Sequence, residues 1–325
     1  LEAELNAAAI VGSATIVNLA YPSSDPIFPN ESSIYSTTIF IGIAFGFGLI
    51  LLFRFLNPYI HDKETVEGLT NTPIIGVIRK FPAYIDKDSR QALSISKPKS
   101  IFAESVRSVR TNLSFLANNK DCKVICITSE ISGEGKPVVT VNLAATLALI
   151  DKKVVLIAGD LRKSKLHKTF GVDNKKGLST LLSKQCSLDE ILVRDETHHI
   201  DFIPSGPVPP NPSELLHTNA MQNLINELTK EYDYVLIDTA PIGLVSDSIP
   251  LIRNSDVNIF VIRSGVSQFR AAAIPERLSR EYNLSNWAII LNAFGDDALY
   301  SNYYTTDYSR GGGNSTYYYS DYSGY

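Results

Sequence analysis

The chain has 325 residues, of which 44% are hydrophobic and 20% charged, and its formal net charge is −4. At roughly 100–200 residues per domain, this length allows two domains. The small net charge and the lack of a basic stripe with interleaved aromatic residues predict no nucleic-acid partner. Three cysteines, Cys122, Cys126 and Cys186, lack metal-ligand spacing. We therefore expect free thiols in a reducing compartment.

Residues 37–56 predict a transmembrane helix, because no charge falls between Thr37 and Phe53 and the run can cross about 30 Å of hydrocarbon. A secretory signal peptide is the alternative. It is disfavoured because the run has no basic segment before it and no small-residue cleavage site after it. Basic residues follow the run but none precedes it. This asymmetry predicts that the C-terminal part is cytoplasmic and that residues 1–36 are periplasmic.

The remaining chain divides into a linker at residues 57–100, an alternating region at 101–295 and a tail at 296–325. The linker is rich in proline and includes one short predicted strand at 73–78. The alternating elements are helix 101–117, strand 123–128, helix 137–150, strand 153–158, helix 178–192, strand 200–204, helix 213–230, strand 233–238, helix 247–253, strand 257–263, helix 269–282 and strand 287–292. This alternation predicts an α/β fold with a doubly wound, mostly parallel sheet.

A small-residue loop between a strand and a helix predicts a phosphate-binding site. The apolar run at 123–128 leads into a loop that ends in Gly135 and Lys136. Small residues let backbone N–H groups face an anion, the helix N-terminus adds its dipole, and Lys136 supplies a cation. The residues predicted to bind the nucleotide are Ser132, Gly133, Glu134, Gly135, Lys136, Pro137 and Val138.

Two aspartates that end apolar strands are predicted to bind Mg²⁺. Asp238 follows Tyr234-Val-Leu-Ile, and Asp160 follows Val154-Val-Leu-Ile-Ala-Gly. Open α/β sheets bind ligands at the carboxyl ends of their strands, and phosphoryl transfer needs carboxylates beside the phosphate cradle. For each aspartate the alternative is a residue that only caps the next turn.

Together these motifs resemble those of the Wzc-like bacterial tyrosine kinases (BY-kinases) of exopolysaccharide and capsule export. The matching segments are Walker A at 129–136, a Walker A′ element ending in Asp160-Leu-Arg162, Walker B ending in Asp238, and the proline-rich segment 206–216. The resemblance implies a P-loop kinase that uses ATP and Mg²⁺. It implies four catalytic residues, namely Lys136, Asp160, Arg162 and Asp238. Residues 1–36 are similar to the end of the Wzz-type co-polymerase region.

The tail contains nine tyrosines in a setting of small and polar residues. On composition alone, a low-complexity segment is an equally good explanation. The resemblance implies instead that the tail is the autophosphorylation segment. The implied acceptors are Tyr300, Tyr303, Tyr304, Tyr308, Tyr317, Tyr318, Tyr319, Tyr322 and Tyr325.

The spacing Glu104-x-x-Arg107-x-x-Arg110 resembles the oligomerisation motif of the same family. Helical spacing puts the three side chains on one face, where they can pair with a neighbouring subunit. The alternative is a Glu104–Arg107 pair within the helix. The resemblance further implies a ring-shaped homo-oligomer in the lipid of the bacterial inner membrane. The implied partners are a polysaccharide polymerase, an outer-membrane exporter and a cognate tyrosine phosphatase.

Two positions depart from the family pattern. Ala158 stands where the Walker A′ element usually has a first aspartate, which leaves Asp160 as its acid. Pro137 replaces the Mg²⁺-binding Ser or Thr, removes an N–H group and is expected to disfavour helical geometry at Lys136. A catalytically impaired nucleotide-binding scaffold is therefore the alternative function. A ParA/MinD-like ATPase is disfavoured because its signature lysine is replaced by Ile131.

Overall fold

The computed structural model describes residues 30–80, 92–116, 123–195, 200–243, 246–284 and 286–295. The predictions for residues 1–29, for Cys122 and for the tail at 296–325 therefore lie outside the described residues. The described chain divides after Asn57 into two compact units.

The first unit contains one long apolar helix, α1 (Glu31–Phe55). Its mean hydropathy reaches 2.2 and none of its residues is buried. At 25 residues it extends about 37 Å, which suffices to cross a bilayer. The helix begins six residues before the predicted span because Asn30 caps it, accepting a hydrogen bond from the Ser33 amide.

The second unit is an α/β domain whose strands are nearly all apolar. Its elements in chain order are α2 (Lys63–Leu69), β1 (Ile74–Arg79), α3 (Leu93–Ser96), α4 (Ile101–Leu116), β2 (Val124–Ser129), α5 (Lys136–Ala148), β3 (Val154–Ala158), α6 (Leu166–Thr169), α7 (Leu178–Leu182), β4 (Val193–Asp195), β5 (Ile200–Ile203), α8 (Pro212–Leu216), α9 (Asn219–Glu231), β6 (Tyr234–Asp238), α10 (Ile249–Arg253), β7 (Val257–Arg263), α11 (Ile274–Tyr282) and β8 (Trp287–Phe294). Two 3₁₀ turns, Ser246–Ser248 and Phe269–Ala273, precede α10 and α11.

The eight strands form one sheet in the order β1-β8-β7-β2-β6-β3-β5-β4. Every neighbouring pair is parallel except β4 and β5. Helices α4 and α5 cover one face, and α9, α10 and α11 cover the other. Because both faces are buried, the strands read as continuous apolar runs. The predicted doubly wound sheet is confirmed, and β1 extends it into the segment predicted as a linker.

Side chains from α4 cover the outer edge of β1. The carbonyl of Ile75 accepts a hydrogen bond of 2.8 Å from Asn112 Nδ2, and the amide of Arg79 donates to Ser105 Oγ at 3.3 Å. The opposite edge strand, β4, has only three residues. Both edges of the sheet are therefore short or occupied by side chains.

Two predicted helices differ from the structure. The helix predicted at 178–192 ends at Leu182, because Lys184 adopts a left-handed φ of 60°, and β4 follows before β5. The helix predicted at 213–230 is interrupted, because Thr218 adopts an extended conformation and begins a new helix. Both errors arise where apolar spacing continues across a turn.

Candidate functional site

The sheet order brings the three predicted motifs together at the carboxyl ends of neighbouring strands. Strand β6 lies between β2 and β3, with Asp238 in register with Ile127 on one side and Ala158 on the other. Because these strands are parallel, the loop after β2, Asp238 and Asp160 all lie at their carboxyl ends. The site is therefore a product of topology, since these motifs are far apart in sequence.

The loop after β2 has the geometry of a phosphate cradle. Gly133 and Gly135 adopt φ values of 96° and 90°, which residues with a Cβ seldom reach. A Cβ on Gly135 would lie 2.1 Å from Asn292 Nδ2. Asn292 itself donates to the carbonyl of Glu134 at 2.8 Å. The loop thus needs glycine at position 135 both for its backbone angle and for its close contact with β8.

Lys136 begins α5 and is almost fully buried. Its Nζ donates to Ser129 Oγ at 2.8 Å, so the amine is held inside the loop. Burial lowers the pKa of Lys136, while the nearby carboxylates of Asp238, Glu134 and Asp160 oppose this shift. The ammonium is therefore desolvated before any phosphate arrives, which strengthens its attraction to an anion.

Asp238 is buried beside this lysine. Burial, reinforced by the charge of Asp160, raises the pKa of Asp238 to about 7, against the opposing effects of Lys136 and Thr140. The Thr140 hydroxyl donates to the carbonyl of Lys136 at 2.8 Å and lies 3.4 Å from Asp238 Oδ1. A carboxylate held in this setting gains stability from a bound cation.

Asp160 shapes its own turn as well as facing the site. Its Oδ1 accepts hydrogen bonds of 3.0 Å from the amides of Arg162 and Lys163. The alternative interpretation of Asp160, that it caps the next turn, is thus correct for this oxygen. The Asp160 amide also donates to the carbonyl of Asp238 at 3.1 Å, which ties the two acidic positions together.

Arg162 is held by a residue that the sequence did not single out. Its guanidinium forms a two-point ion pair with Asp247, whose side chain is buried. Asp247 lies in the 3₁₀ turn before α10, shortly after Walker B in sequence. The pair therefore links the Walker A′ turn to the segment that follows β6.

Pro137 lies in the first turn of α5, and the helix begins at Lys136. The expectation that Pro137 disfavours a helical Lys136 is therefore wrong. The first helical N–H groups have no partner within the helix, so a proline is tolerated there. Position 137 still lacks the hydroxyl with which Ser or Thr usually binds Mg²⁺ in such a loop.

A buried carboxylate connects the loop to the segment after β7. Glu134 is fully buried, accepts a hydrogen bond of 2.8 Å from the Ile131 amide and accepts another from Ser267 Oγ. Burial raises the pKa of Glu134. Ser267 in turn accepts a backbone hydrogen bond of 2.9 Å from Ile60, while the amide of Gly265 donates to Ile60 at the same distance. Residues 58–60, which we call the strap, are thus bound to the segment that holds the loop.

A cavity of about 700 Å³ opens near the loop. It is lined by the ends of β7 and β8 and by residues of α2 and β1. Arg263 lines it and also donates to the Gly133 carbonyl at 2.7 Å.

Sequence reasoning missed Thr140, Asp247, Arg263, Ser267 and Asn292. Polar residues at the ends of apolar strands were the available signal for Arg263 and Asn292.

The predicted oligomerisation residues make contacts within this chain. Arg107 pairs with Glu104 at 2.7 Å, as the intrahelical alternative expected. Arg110 donates to the Thr146 carbonyl at 2.6 Å and so joins α4 to α5. The Glu104 side chain is 72% exposed, which leaves it accessible to a neighbouring subunit.

Comparisons with known proteins agree with this geometry. Residues 122–270 match the AAA domain family. Tyrosine-protein kinase YwqD of Bacillus subtilis is 39% identical over 57% of this chain and 78% of its own length. A protein of Klebsiella pneumoniae named putative tyrosine-protein kinase in the cps region is 31% identical over 75% of this chain and 36% of its own length. The solved kinase domain of Escherichia coli tyrosine kinase ETK superposes with a TM-score of 0.66 at 28% identity, covering 74% of this chain and 96% of that domain.

The fold and the site define a nucleotide-binding α/β domain of the P-loop type. Within that class, the chain belongs to the family of bacterial tyrosine-protein kinases, the BY-kinases. The resemblance of the sequence motifs to those of the Wzc-like bacterial tyrosine kinases is thereby confirmed. The chain spans 36 to 42% of the length of the longer curated relatives that it matches.

Proposed function

We propose that this chain is an ATP-dependent protein-tyrosine autokinase that phosphorylates its own tyrosine-rich tail and regulates polysaccharide polymerisation and export. The observation that carries the proposal is the meeting of the loop, Asp160 and Asp238 at one edge of the sheet. Phosphoryl transfer depends on positioning and charge stabilisation, and these groups supply both.

The residues present fit ATP and Mg²⁺. The positive φ angles of Gly133 and Gly135 suit a backbone that faces phosphates, and Lys136 adds a buried cation. Asp238, with Asp160 beside it, would hold the metal ion, which when bound neutralises charge on the phosphates. Arg162, oriented by Asp247, lies next to Asp160 and provides a further cation at this edge.

We infer that the cavity next to the loop receives the nucleoside part of ATP. Its volume of about 700 Å³ lies within the range of ligand sites. Arg263 joins the cavity to the loop through the Gly133 carbonyl. A nucleotide with its phosphates on the loop therefore has space for its base at the ends of β7 and β8.

The tail supplies acceptors for the proposed reaction. Its nine tyrosines follow the domain on the same chain. Helix α1 would place the domain at the cytoplasmic face of the bacterial inner membrane. The name of the Klebsiella relative associates it with a cps region, which supports a role in capsule or exopolysaccharide production. The polymerase, exporter, cognate phosphatase and ring assembly implied by the family resemblance are part of this proposal.

The second candidate function is a nucleotide-binding scaffold with little catalysis. Pro137 favours it, because this loop offers no hydroxyl at the position where Ser or Thr usually binds Mg²⁺. The scaffold would keep the membrane helix, the nucleotide loop and the oligomerisation surface.

Replacing the loop lysine tests the proposal. We expect Lys136→Met to abolish ATP-dependent tail phosphorylation, because the variant lacks the cation that faces the transferred group. Phosphotyrosine is measured by mass spectrometry after incubation with ATP and Mg²⁺. Lys152→Met, at the opposite end of β3, is the matched control and should retain activity. Phosphotyrosine in neither the parent nor the control would favour the scaffold, whereas an unchanged signal in Lys136→Met would contradict the site.

A further inference from the structure

Helix α5 carries a buried hydroxyl one turn after Pro137. Thr140 lies three residues after Pro137 and four after Lys136, so its side chain shares a face of the helix with both. That side chain is fully buried, and a buried hydroxyl needs a hydrogen-bond partner. The helix face that lacks a hydroxyl at position 137 therefore carries one at position 140.

The Thr140 hydroxyl has two acceptors within reach. It donates to the Lys136 carbonyl at 2.8 Å, and Asp238 Oδ1 lies 3.4 Å away. A hydroxyl has a single hydrogen to donate. Rotation about the Cβ–Oγ1 bond of Thr140 redirects that hydrogen from the carbonyl to the carboxylate, and no heavy atom has to move. The Lys136 carbonyl keeps a partner in either case, because the amide of residue 140 donates to it within α5.

The backbone around Asp238 is fixed without Thr140. The next residue, Thr239, donates to the Ile127 carbonyl from its amide at 3.1 Å and from its hydroxyl at 3.0 Å. These bonds set the point at which the Asp238 side chain leaves the sheet, but they leave the carboxylate free to turn about its own bonds. Within the described part of the chain, the donor that reaches this carboxylate is the Thr140 hydroxyl. The orientation of the carboxylate therefore depends on α5.

We propose that Thr140 is a positioning residue for Mg²⁺, whose hydroxyl donates to Asp238 and holds the carboxylate in one orientation for the metal ion. This inference rests on the proposed binding of ATP and Mg²⁺. Hydrogen-bond partners of this kind orient the carboxylates that bind metal ions, and their loss typically lowers metal affinity about 10- to 100-fold. Mg²⁺ is sensitive to such a loss because it demands near-octahedral geometry.

A Mg²⁺ titration of nucleotide binding tests this role without any turnover. Binding of a fluorescent ADP analogue to the full chain in detergent is measured as Mg²⁺ is raised, and again in EDTA. We expect Thr140→Val, which removes the hydroxyl but keeps the branched side chain, to raise the half-maximal Mg²⁺ concentration at least about tenfold. Its affinity for the analogue in EDTA should equal that of the parent. Thr140→Ser retains a hydroxyl and should keep the parent's half-maximal concentration.

Thr146→Val is the matched control. Thr146 lies on the same helix, is also fully buried, and likewise donates to a carbonyl of its own helix, that of Leu143 at 2.9 Å. It lies six residues, or about 9 Å, further along α5. The control should leave the half-maximal Mg²⁺ concentration unchanged even if it lowers the melting temperature.

The outcomes separate this role from the metal site itself. A half-maximal Mg²⁺ concentration that Thr140→Val shares with the parent would overturn the inference and leave the metal site standing. Equal increases in Thr140→Val and Thr146→Val would also overturn it, because they would indicate a general effect of helix packing. The same holds for an equal loss of affinity in EDTA, which would assign Thr140 to the loop. Binding by the parent that ignores Mg²⁺ would overturn the proposed metal site, and this inference with it.

Discussion

At the scale of single residues, Pro137 leaves the loop without a hydroxyl at the position where Ser or Thr usually binds Mg²⁺. The structure accommodates the ring in the first turn of α5, so the missing hydroxyl is the remaining difference from a standard loop. We expect Pro137→Thr to raise autophosphorylation by at least about tenfold, which corresponds to roughly 1.4 kcal/mol of transition-state stabilisation. Phosphotyrosine formation is measured across a Mg²⁺ titration.

Pro137→Ala is the control for this prediction, because it removes the ring and restores the N–H without adding a hydroxyl. If Ala and Thr raise activity equally, the hydroxyl is not the cause. If neither changes the rate or the Mg²⁺ dependence, the scaffold function loses its main support.

The buried carboxylate of Asp238 predicts a pH dependence of stability in the absence of nucleotide. Its pKa of about 7 exceeds the unfolded value of about 3.9, so the folded chain binds more protons between these pH values. The stabilising contribution is full below about pH 4 and is lost as pH rises through about 7. We expect the melting temperature of the parent to fall relative to that of Asp238→Asn over this range. A melting temperature of the parent that rises with pH relative to that of Asp238→Asn would show instead that the folded pKa lies below the unfolded one.

Sequence reasoning worked best for residues with a local signature. Gly135, Lys136 and the strand-ending aspartates are marked by their own neighbours. The residues that hold them in place have no such local signature, because Asp247 and Ser267 contact side chains that are distant in sequence. Their partners are Arg162, from another strand end, and Glu134, from the loop. Such pairs follow from topology, which no short segment encodes.

At the scale of elements, the strap and the segment after β7 form the support of the nucleotide loop. Ser267→Ala removes the hydroxyl that donates to Glu134. Because an underbonded buried carboxylate is costly, we expect the loop to relax and ATP to bind about tenfold more weakly, or about 1.4 kcal/mol. Equilibrium binding of a fluorescent ATP analogue measures this change.

Ser255→Ala provides the matched control for the loop support. Ser255 is also buried and donates to a backbone carbonyl, that of Leu251 at 2.6 Å, but it precedes β7 and therefore lies at the opposite end of the sheet. The Ser255→Ala variant should leave ATP affinity unchanged even if the substitution lowers the melting temperature. Equal affinities for both variants would show that Glu134 does not hold the loop.

The elements predicted most closely are the central strands, because strands buried on both faces are uninterrupted apolar runs. The bounds of β7 agree with the prediction at both ends. The short helices α7 and α8 and the strand β4 were not separated from their surroundings. Their ends depend on single backbone angles, such as those of Lys184 and Thr218, which apolar periodicity does not report.

At the scale of the whole molecule, the exposed part of the Glu104–Arg110 motif predicts self-association. We expect Glu104→Ala with Arg107→Ala to convert an oligomer to monomers, because the two substitutions remove charged groups that could pair with a neighbouring subunit. The melting temperature should change little, since Glu104 is largely exposed. Sedimentation velocity in detergent measures the size.

Arg110→Ala is the contrasting variant, because Arg110 joins α4 to α5 through the Thr146 carbonyl. It should lower the melting temperature as well as weaken the oligomer. If the double variant sediments like the parent, the motif serves only the fold of its own chain.

The covered edge of β1 has a consequence for how copies of this domain meet at high concentration. Asn112 and Ser105 occupy backbone groups that could otherwise pair with a strand of another molecule, and β4 offers only three residues at the other edge. Strand-to-strand growth, which has no natural end, is thereby hindered at both sides. Copies of the domain are left to meet through side chains, so their contacts can be reversed by changes in charge.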